Sequence, residues 1–329
     1  MSVKKLLKKL VCFSLAAALS CTAMFGVISC KAKTDFTVGI CQLTKHSALD
    51  KATQGFRDAL NEELAAAGKT VTIEFNQANN DPSSCSTIVN TYVSRSVDLI
   101  LANATPALQA AVNATETIPI LGTSVTDYGV ALGIDNFNGL VGGNVSGTSD
   151  LAPLERQADM LVEYLPNAKT VGLLYCSSEV NSEYQVRVIK ARLEKNIGVT
   201  CKTYKFADSN ELNSVCTVAV NECDALYVPT DNTVADNAVM IDGLCRKDNK
   251  KVPVFAGEES TCKACGFATL TISYYEIGRK TGKMAADILL GRADISQMKI
   301  AYDDNPIVKF NEQICNDLGI KMPTEREVV

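Results

Sequence analysis

The amino-acid sequence predicts an α/β protein built from two similar halves, each with a parallel β-sheet. Three observations support this: short β-rich runs alternate with helical stripes, the alternation stops at a glycine-rich stretch, and it then starts again. Alternating strands and helices indicate βαβ crossovers, which place neighbouring strands parallel in one sheet. The length of 329 residues suits two such halves, because single domains typically contain about 100 to 200 residues.

The first half opens with a β-rich run over residues 36–41 and an amphipathic helix over 47–65. The helix is predicted because Leu49, Ala52 and Phe56 recur at spacings of three and four, which places them on one face. The same patterns predict the rest of this half: strands over 71–75, 97–101 and 118–121, and helices over 84–95 and 106–112.

A glycine-rich stretch over residues 139–148 separates the two halves. It contains four glycines but lacks the G-x-G-x-x-G order of a dinucleotide-binding loop, so we interpret it as a flexible crossing. Ser149 or Asp150 is then expected to cap a helix that carries Leu154 and Leu165. The second half is predicted to have strands over 169–175, 199–204, 225–228 and 252–256, and helices over 180–195, 210–221 and 233–247.

The C-terminal tail adds elements beyond the two complete halves. It is predicted to contain a strand over 267–272, a helical stripe from Ile277 to Leu289, a strand over 306–310 and a short helix ending at Gly319. Extra elements at this position would let the chain cross back and forth between the halves.

The N-terminal residues 1–29 have the pattern of a secretory signal peptide. Four lysines precede an apolar stretch over residues 10–28, and Val27-Ile28-Ser29-Cys30 resembles a bacterial lipobox, in which Cys30 would be lipidated. An uncleaved membrane anchor is the alternative, because about nineteen apolar residues nearly span a bilayer. Residues 30–35 are expected to be a linker, and the protein is expected to be lipid-anchored at the cell membrane, facing the periplasm or the cell exterior.

Charge and histidine content argue against several classes of function. Without the four lysines of residues 1–29, the formal net charge falls from −5 to about −9, which disfavours nucleic-acid binding. His46 is the single histidine, so a multi-histidine metal site is impossible and a Ser–His–acid enzyme would depend on that residue. No nucleophile is paired with a base in the sequence. We therefore predict no catalytic residues, no metal and no cofactor.

Ten of the thirteen cysteines lie beyond Cys30, and their positions do not look like a disulfide framework. Several lie in or beside apolar strand patterns, where cysteine packs as a small hydrophobic residue. Cys262 and Cys265 form a lone C-x-x-C, and zinc would need a second pair. This motif is therefore expected to be either a local disulfide or two free thiols.

Short polar segments follow the strands of both halves, and they are the candidate ligand-binding residues. In open α/β sheets, ligands bind beyond the carboxyl ends of the strands, where helix N-termini present free N–H groups. Helix capping alone would explain many of these residues, and His46 is either a ligand contact or a surface residue. The candidates are His46, Ala104, Thr105, Ser124, Thr126, Ser178, Glu179, Thr230, Asp231, Asn232, Gly257 and Glu258.

Seven segments together resemble the substrate-binding lipoproteins of ABC importers with the type I periplasmic-binding fold, specifically the TrpX-like aromatic amino-acid branch. They are LTKHSALD (43–50), ATPA (104–107), GTSVTD (122–127), GTSD (147–150), VPTDNT (228–233), AGEE (256–259) and ISYYEIG (272–278). The resemblance extends over residues 36–323 and adds Asp150 to the ligand-binding candidates. It implies two Rossmann-like lobes, three crossings between them, and ligand capture by closure of a hinged cleft.

On this basis, lobe one is expected to comprise residues 36–148 plus 273–297, and lobe two residues 149–272 plus 298–329. The implied function is capture of a small amino acid, with tryptophan, tyrosine or phenylalanine favoured, and its delivery to an ABC permease and ATPase by a monomeric binding protein. The alternatives are a binding protein for a nucleoside or sugar, an exported Rossmann-type enzyme, or a sensory ligand-binding module.

The zwitterion of an amino acid suggests specific roles for the candidate residues. The ligand carboxylate is expected to meet Thr105, Ser124 and Thr126, because hydroxyl groups and helix N-termini bind anions. The ligand ammonium is expected to pair with Asp231 or Glu258 on the opposite lobe. Closure is expected to occur about crossings near residues 148, 273 and 300.

Overall fold

Two β-sheets flanked by helices form the protein, as a computed structural model shows for residues 34–247, 250–303 and 305–329. The predicted signal peptide, Cys30 and most of the predicted linker lie outside the described residues. The two-sheet α/β architecture confirms the predicted fold class. Among the residues described, no helix is long and apolar enough to cross a membrane.

The first sheet contains five parallel strands in the order β2-β1-β3-β4-β5. Its order reverses direction next to β1, so the loops after β1 and β3 lie side by side at the carboxyl edge. The strands are β1 (Phe36–Gln42), β2 (Val71–Gln77), β3 (Leu99–Asn103), β4 (Ile120–Val125) and β5 (Val145–Ser149).

The second sheet contains seven strands in the order β12-β11-β10-β9-β8-β6-β7. It is parallel except for the β10–β11 pair, which is antiparallel and so departs from the all-parallel prediction. The strands are β6 (Thr170–Cys176), β7 (Thr200–Phe206), β8 (Ala225–Val228), β9 (Val254–Ala256), β10 (Ala268–Thr271), β11 (Ile307–Phe310) and β12 (Glu327–Val328).

Helices connect the strands within both halves. They are α1 (Ser47–Ala66), α2 (Pro82–Ser94), α3 (Thr105–Ala114), α4 (Tyr128–Leu132), α5 (Leu154–Tyr164), α6 (Val180–Arg192), α7 (Ser209–Glu222), α8 (Asn232–Asp236), α9 (Ala238–Cys245), α10 (Glu259–Cys265), α11 (Tyr274–Leu289) and α12 (Glu312–Leu318). A π-helical turn (Leu193–Ile197) extends α6, and a 3₁₀ turn (Ile295–Gln297) follows α11.

Strand β5 corrects part of the prediction that residues 139–148 form a flexible crossing, because residues 145–148 belong to this strand. Its residues are buried, and they pair with β4 through contacts that include Gly122 opposite Gly147. A Cβ at Gly147 would overlap the Gly122 carbonyl oxygen, and Gly147 has φ of 147°. This glycine therefore permits close backbone packing inside a strand rather than flexibility.

The predicted helix cap at Ser149 or Asp150 is wrong, because α5 begins only after Pro153. The Ser149 hydroxyl instead donates to the Thr126 carbonyl at 2.7 Å, and Asp150 accepts a hydrogen bond from Tyr274. Both residues are thus held by distant parts of the chain before the helix can start.

The predicted single helix over 233–247 is two helices, α8 and α9, separated at Asn237. Asn237 has φ of −117° and ψ of 13°, which interrupts the helical ladder. The break leaves α8 as a separate five-residue helix at the carboxyl edge of the second sheet.

Helix α11 returns to the first half and packs on α1, as predicted for the tail. Close contact is possible because Gly55 and Gly278 face backbone atoms of the other helix at distances that exclude a side chain. Ile300 also packs in the core of the first sheet, and Ala301 forms a bridge with Thr148. The exact lobe boundaries near residue 298 stay a prediction.

All ten cysteines in the described residues are free thiols and buried. Of the two alternatives for Cys262 and Cys265, the structure has free thiols. Both side chains pack in an apolar cluster between α7, α9, α10 and the second sheet, where cysteine acts as a small hydrophobic residue.

Candidate ligand-binding site

A cavity lies where the carboxyl ends of the two sheets face each other. Its volume is about 20 Å³, and both halves contribute to its walls. Such a small space means that a larger molecule can reach it only when the halves separate. The lining residues are His46, Leu49, Ser124, Asp150, Asn181, Thr230, Asp231, Asn232, Ala235, Glu258 and Tyr274.

Polar atoms without hydrogen-bond partners are concentrated in this lining. Buried polar groups in proteins are almost always hydrogen-bonded, so each exception calls for an explanation. Of the seven such side-chain atoms in the described residues, four belong to the cavity lining: His46 Nδ1, Ser124 Oγ, Asp150 Oδ1 and Asn181 Oδ1. Their convergence on one small space indicates a site built to bind a polar molecule.

Asp150 has a carboxylate oxygen that accepts no hydrogen bond. Its Oδ2 accepts a hydrogen bond of 2.8 Å from the Tyr274 hydroxyl, whereas Oδ1 has no partner. Burial raises the pKa of Asp150, and the interactions with the side chains of Tyr274 and Thr126 offset this only in part. A buried carboxylate oxygen without a partner strongly favours a cationic ligand group beside it.

Asp231 and Glu258 also line the cavity, but their oxygens already have partners. Asp231 accepts from Val234 N at 2.8 Å and from Cys176 N at 2.7 Å. Glu258 caps α10 and accepts from the backbone and hydroxyl groups of Ser260 and Thr261. Burial, together with the nearby Glu179 charge, raises the pKa of Asp231. Both carboxylates therefore cap the helices that follow them.

The first half contributes two residues with strained backbone at adjacent strand ends. Ala104 has φ of 90° and Ser124 has φ of 54°, conformations that cost free energy in residues other than glycine. Ala104 N donates to the Thr123 carbonyl at 3.0 Å, which keeps the ends of β3 and β4 together. Ala104 cannot cap the following helix with its side chain, so the N–H groups at the buried start of α3 lack a side-chain partner.

The family assignment rests on a match over nearly the whole described chain. Residues 37–328 match the model of the family described as ABC transporter substrate binding protein. The chain belongs to this family. The resemblance noted from the sequence motifs is thereby confirmed.

Individual members of the substrate-binding family show similar sequences and structures. A tyrosine-binding protein of Clostridioides difficile (strain R20291) is 34% identical over 289 residues, which cover 88% of this chain and 82% of that protein. An ABC domain from Streptococcus pneumonia in complex with L-Trp is 31% identical, with a TM-score of 0.83 over 89% of this chain and 99% of the other.

A third relative is known in an open form. The ligand-free, open structure of a substrate binding protein with adhesive properties from Clostridium difficile is 38% identical and covers 89% of this chain and 99% of its own. Its TM-score is nevertheless only 0.68, lower than the 0.83 of the L-Trp complex, whose sequence is less similar to this chain. In the present structure the two halves lie against each other around a cavity of about 20 Å³, with hydrogen bonds from Thr44 to Asp236 and between His46 and Asn232, an arrangement that we call closed.

Seven of the thirteen candidate ligand residues line the cavity of this binding protein: His46, Ser124, Asp150, Thr230, Asp231, Asn232 and Glu258. The other four lining residues were not among the candidates: Leu49, Asn181, Ala235 and Tyr274. Tyr274 lay within a motif that carried the family resemblance, which was the available signal. Leu49 also lay within such a motif, LTKHSALD (43–50), whereas Asn181 and Ala235 follow no distinctive pattern.

Six candidates lie outside the lining. Thr105 is at the start of α3, after Ala104, and Thr126 lies beside the cavity, 3.4 Å from the Thr230 hydroxyl. Ser178 is exposed, with its hydroxyl 3.0 Å from the Cys176 sulfur. A ligand-binding role for these side chains stays a prediction.

The remaining two, Glu179 and Gly257, have clear structural surroundings. Both oxygens of Glu179 accept hydrogen bonds from Asn232 and Thr233 at the start of α8. A Cβ at Gly257 would lie 2.7 Å from the Pro229 backbone, so only glycine allows these two strand ends to approach. Among the described residues there is also no group of three potential metal ligands.

Proposed function

We propose that this binding protein captures a free aromatic amino acid between its lobes and delivers it to the permease and ATPase of an ABC importer. The partnerless carboxylate oxygen of Asp150 in the cavity carries the proposal. Two relatives whose names refer to tyrosine and to L-Trp support the class of ligand. Membership of the substrate-binding family supports the transport role.

The ammonium group of the ligand is proposed to lie against Asp150 Oδ1. The lining includes three carboxylates, and no lysine or arginine is among its described residues. An ammonium group therefore meets acidic side chains there and no competing lysine or arginine. Asp231 and Glu258, the residues first expected to pair with it, use their oxygens as helix caps, so we transfer this role to Asp150.

The carboxylate of the ligand is proposed to lie near Ser124 and the start of α3. The Ser124 hydroxyl has no partner, and a helix N-terminus has free N–H groups and a favourable dipole for an anion. Both features belong to lobe one, whereas Asn181 and Asp231 close the cavity from lobe two. The strained backbone at Ala104 and Ser124 fits a preorganised site.

The aromatic side chain is proposed to extend toward a second cavity of about 210 Å³. This cavity shares Glu258 and Tyr274 with the first. Its walls include Ala48, Ile272 and Tyr275, and also the charged residues Lys51, Glu259 and Lys309. The first cavity alone is too small for an aromatic ring, so we propose that the ring uses the space of the second cavity as well.

Titration calorimetry with analogues lacking one charge tests the proposal. We expect saturable binding of L-tryptophan, L-tyrosine or L-phenylalanine, and no binding of glucose or adenosine. Tryptamine, which lacks the carboxylate, and indole-3-propionate, which lacks the amine, should each bind at least about 100-fold more weakly than L-tryptophan, because each leaves buried protein groups unpaired. Binding of glucose or adenosine without any amino acid would contradict the proposal.

We also propose that the mature protein begins at a lipidated Cys30 and is anchored outside the cytoplasmic membrane as a monomer. The basic and apolar segments before Val27-Ile28-Ser29-Cys30 support this proposal, as does the extracytoplasmic role of the family. Mass spectrometry of the N-terminal peptide from native membranes should show an acylated Cys30. A retained Met1, or an unmodified Cys30 after cleavage elsewhere, would contradict lipidation.

A further inference from the structure

The short helix α8 contacts two loops of the opposite half, the loop after β1 and the loop after β2. It has only five residues, yet three of them make hydrogen bonds across the cleft. The three pairs are Thr44 Oγ1 to Asp236 Oδ2 at 2.8 Å, His46 Nε2 with Asn232 Oδ1 at 3.1 Å, and Asn80 Nδ2 to Thr233 Oγ1 at 3.1 Å.

Two of these pairs, Thr44–Asp236 and Asn80–Thr233, lie outside the lining of the ligand cavity, and the first of them includes a carboxylate. Neither Thr44 nor Asp236 is among the residues that line the cavity. Thr44 is buried, and burial raises the pKa of the Asp236 carboxyl, whereas the hydrogen bond from Thr44 lowers it. The pair therefore acts on the closed arrangement itself rather than on bound ligand.

Helix α8 is held firmly before it meets lobe one. Glu179 accepts the backbone N–H groups of Asn232 and Thr233 at 2.9 and 3.0 Å, and Asp231 accepts that of Val234. Little conformational entropy is then lost when the side chains of α8 meet their partners. The Lys51–Glu259 ion pair across the cleft contributes less, since its side chains are exposed at 46% and 26% and such pairs are worth little.

We propose that α8 is a closure latch in which the Asp236 carboxylate accepts the Thr44 hydroxyl and thereby slows the release of bound ligand. The proposal rests on the proposed function, because it requires ligand capture by closure. Asp236 acts as a positioning residue, through the closed arrangement and without touching ligand. A contact made only after closure slows opening and leaves the first encounter with ligand unchanged, so it alters koff more than kon.

Stopped-flow fluorescence of L-tryptophan tests the latch, since the chain has no tryptophan of its own. Asp236→Ala should raise koff about tenfold and leave kon within twofold of the wild-type value. Asp236→Asn retains an acceptor oxygen for Thr44 and should stay within threefold of wild type. The control Asp242→Ala removes an ion pair within lobe two, to Arg246, and should change neither rate.

Unchanged dissociation in Asp236→Ala, or equal acceleration in Asp242→Ala, would overturn the latch while leaving the proposed function intact. Failure of wild type to bind L-tryptophan would count against the proposed function instead. In that case small-angle scattering without ligand tests whether the latch exists. Asp236→Ala should have a larger radius of gyration than either wild type or Asp236→Asn. Equal radii for the three proteins would contradict the latch.

Discussion

Replacement of Asp150 by asparagine is expected to weaken binding of the aromatic amino acid by at least about 100-fold, or about 2.7 kcal/mol. The change removes the charge that we propose to pair with the ligand ammonium while preserving the size of the side chain. Truncating or neutralising one member of a buried charged pair costs about 2 to 5 kcal/mol, because the other charge remains buried without compensation. Titration calorimetry with L-tryptophan and L-tyrosine measures this loss.

The matched control is Tyr274→Phe, which removes the hydrogen bond to Asp150 Oδ2 but keeps the carboxylate. Its effect on affinity should be clearly smaller, about tenfold, because the charge is retained and only one hydrogen bond to it is lost, with a net value near the lower end of about 1.5 to 3 kcal/mol. An Asp150→Asn variant with wild-type affinity would contradict the assignment of the ammonium to Asp150.

Ionisation of the Asp150 carboxyl should make the affinity for the amino acid depend on pH. Burial raises the pKa of Asp150 in the free protein, and an adjacent ammonium would lower it again. Ligand therefore binds the ionised form better, and affinity should fall as the pH is lowered through the raised pKa. Binding in that range should release protons, which calorimetry in buffers of different ionisation enthalpy detects, and Asp150→Asn should lose both effects.

Replacement of Gly278 by alanine is expected to lower the free energy of unfolding by about 2 to 3 kcal/mol. A Cβ at this position would overlap the Ala52 carbonyl oxygen on α1, and backbone atoms there cannot move aside cheaply. Overpacking of this kind typically costs about 1 to 3 kcal/mol. Urea and thermal unfolding followed by circular dichroism measure the change.

Gly243→Ala is the matched control, since Gly243 is also inside a helix but has no neighbouring atom within 4 Å of the methyl group that alanine would add. Alanine there should raise the free energy of unfolding by about 0.5 to 1 kcal/mol through its better helix propensity. Equal effects of the two substitutions would show that the close contact between α1 and α11 does not limit stability.

Local patterns in the sequence were sufficient to predict most of the helices and strands. Periodicity acts over neighbouring residues, so strands such as Ala225–Val228 and helices such as Ser47–Ala66 were found close to their observed bounds. Strand β5 was missed because its glycines read locally as a flexible linker. Only contact with Gly122 on a neighbouring strand gives Gly147 its packing role.

The sequence by itself also determined where ligand-binding residues would cluster, because parallel strands bring their carboxyl ends to one edge of a sheet. It could not determine which carboxylate would be free to bind a cation. That depends on partners far away along the chain: Tyr274, which holds one oxygen of Asp150 and leaves the other free, lies 124 residues from it. Asp231 and Glu258 look equally suitable in sequence, yet capping donors occupy their oxygens. Only the tertiary structure decides this, because the fold determines which donor groups lie beside each carboxylate oxygen, and the identity of the residue does not.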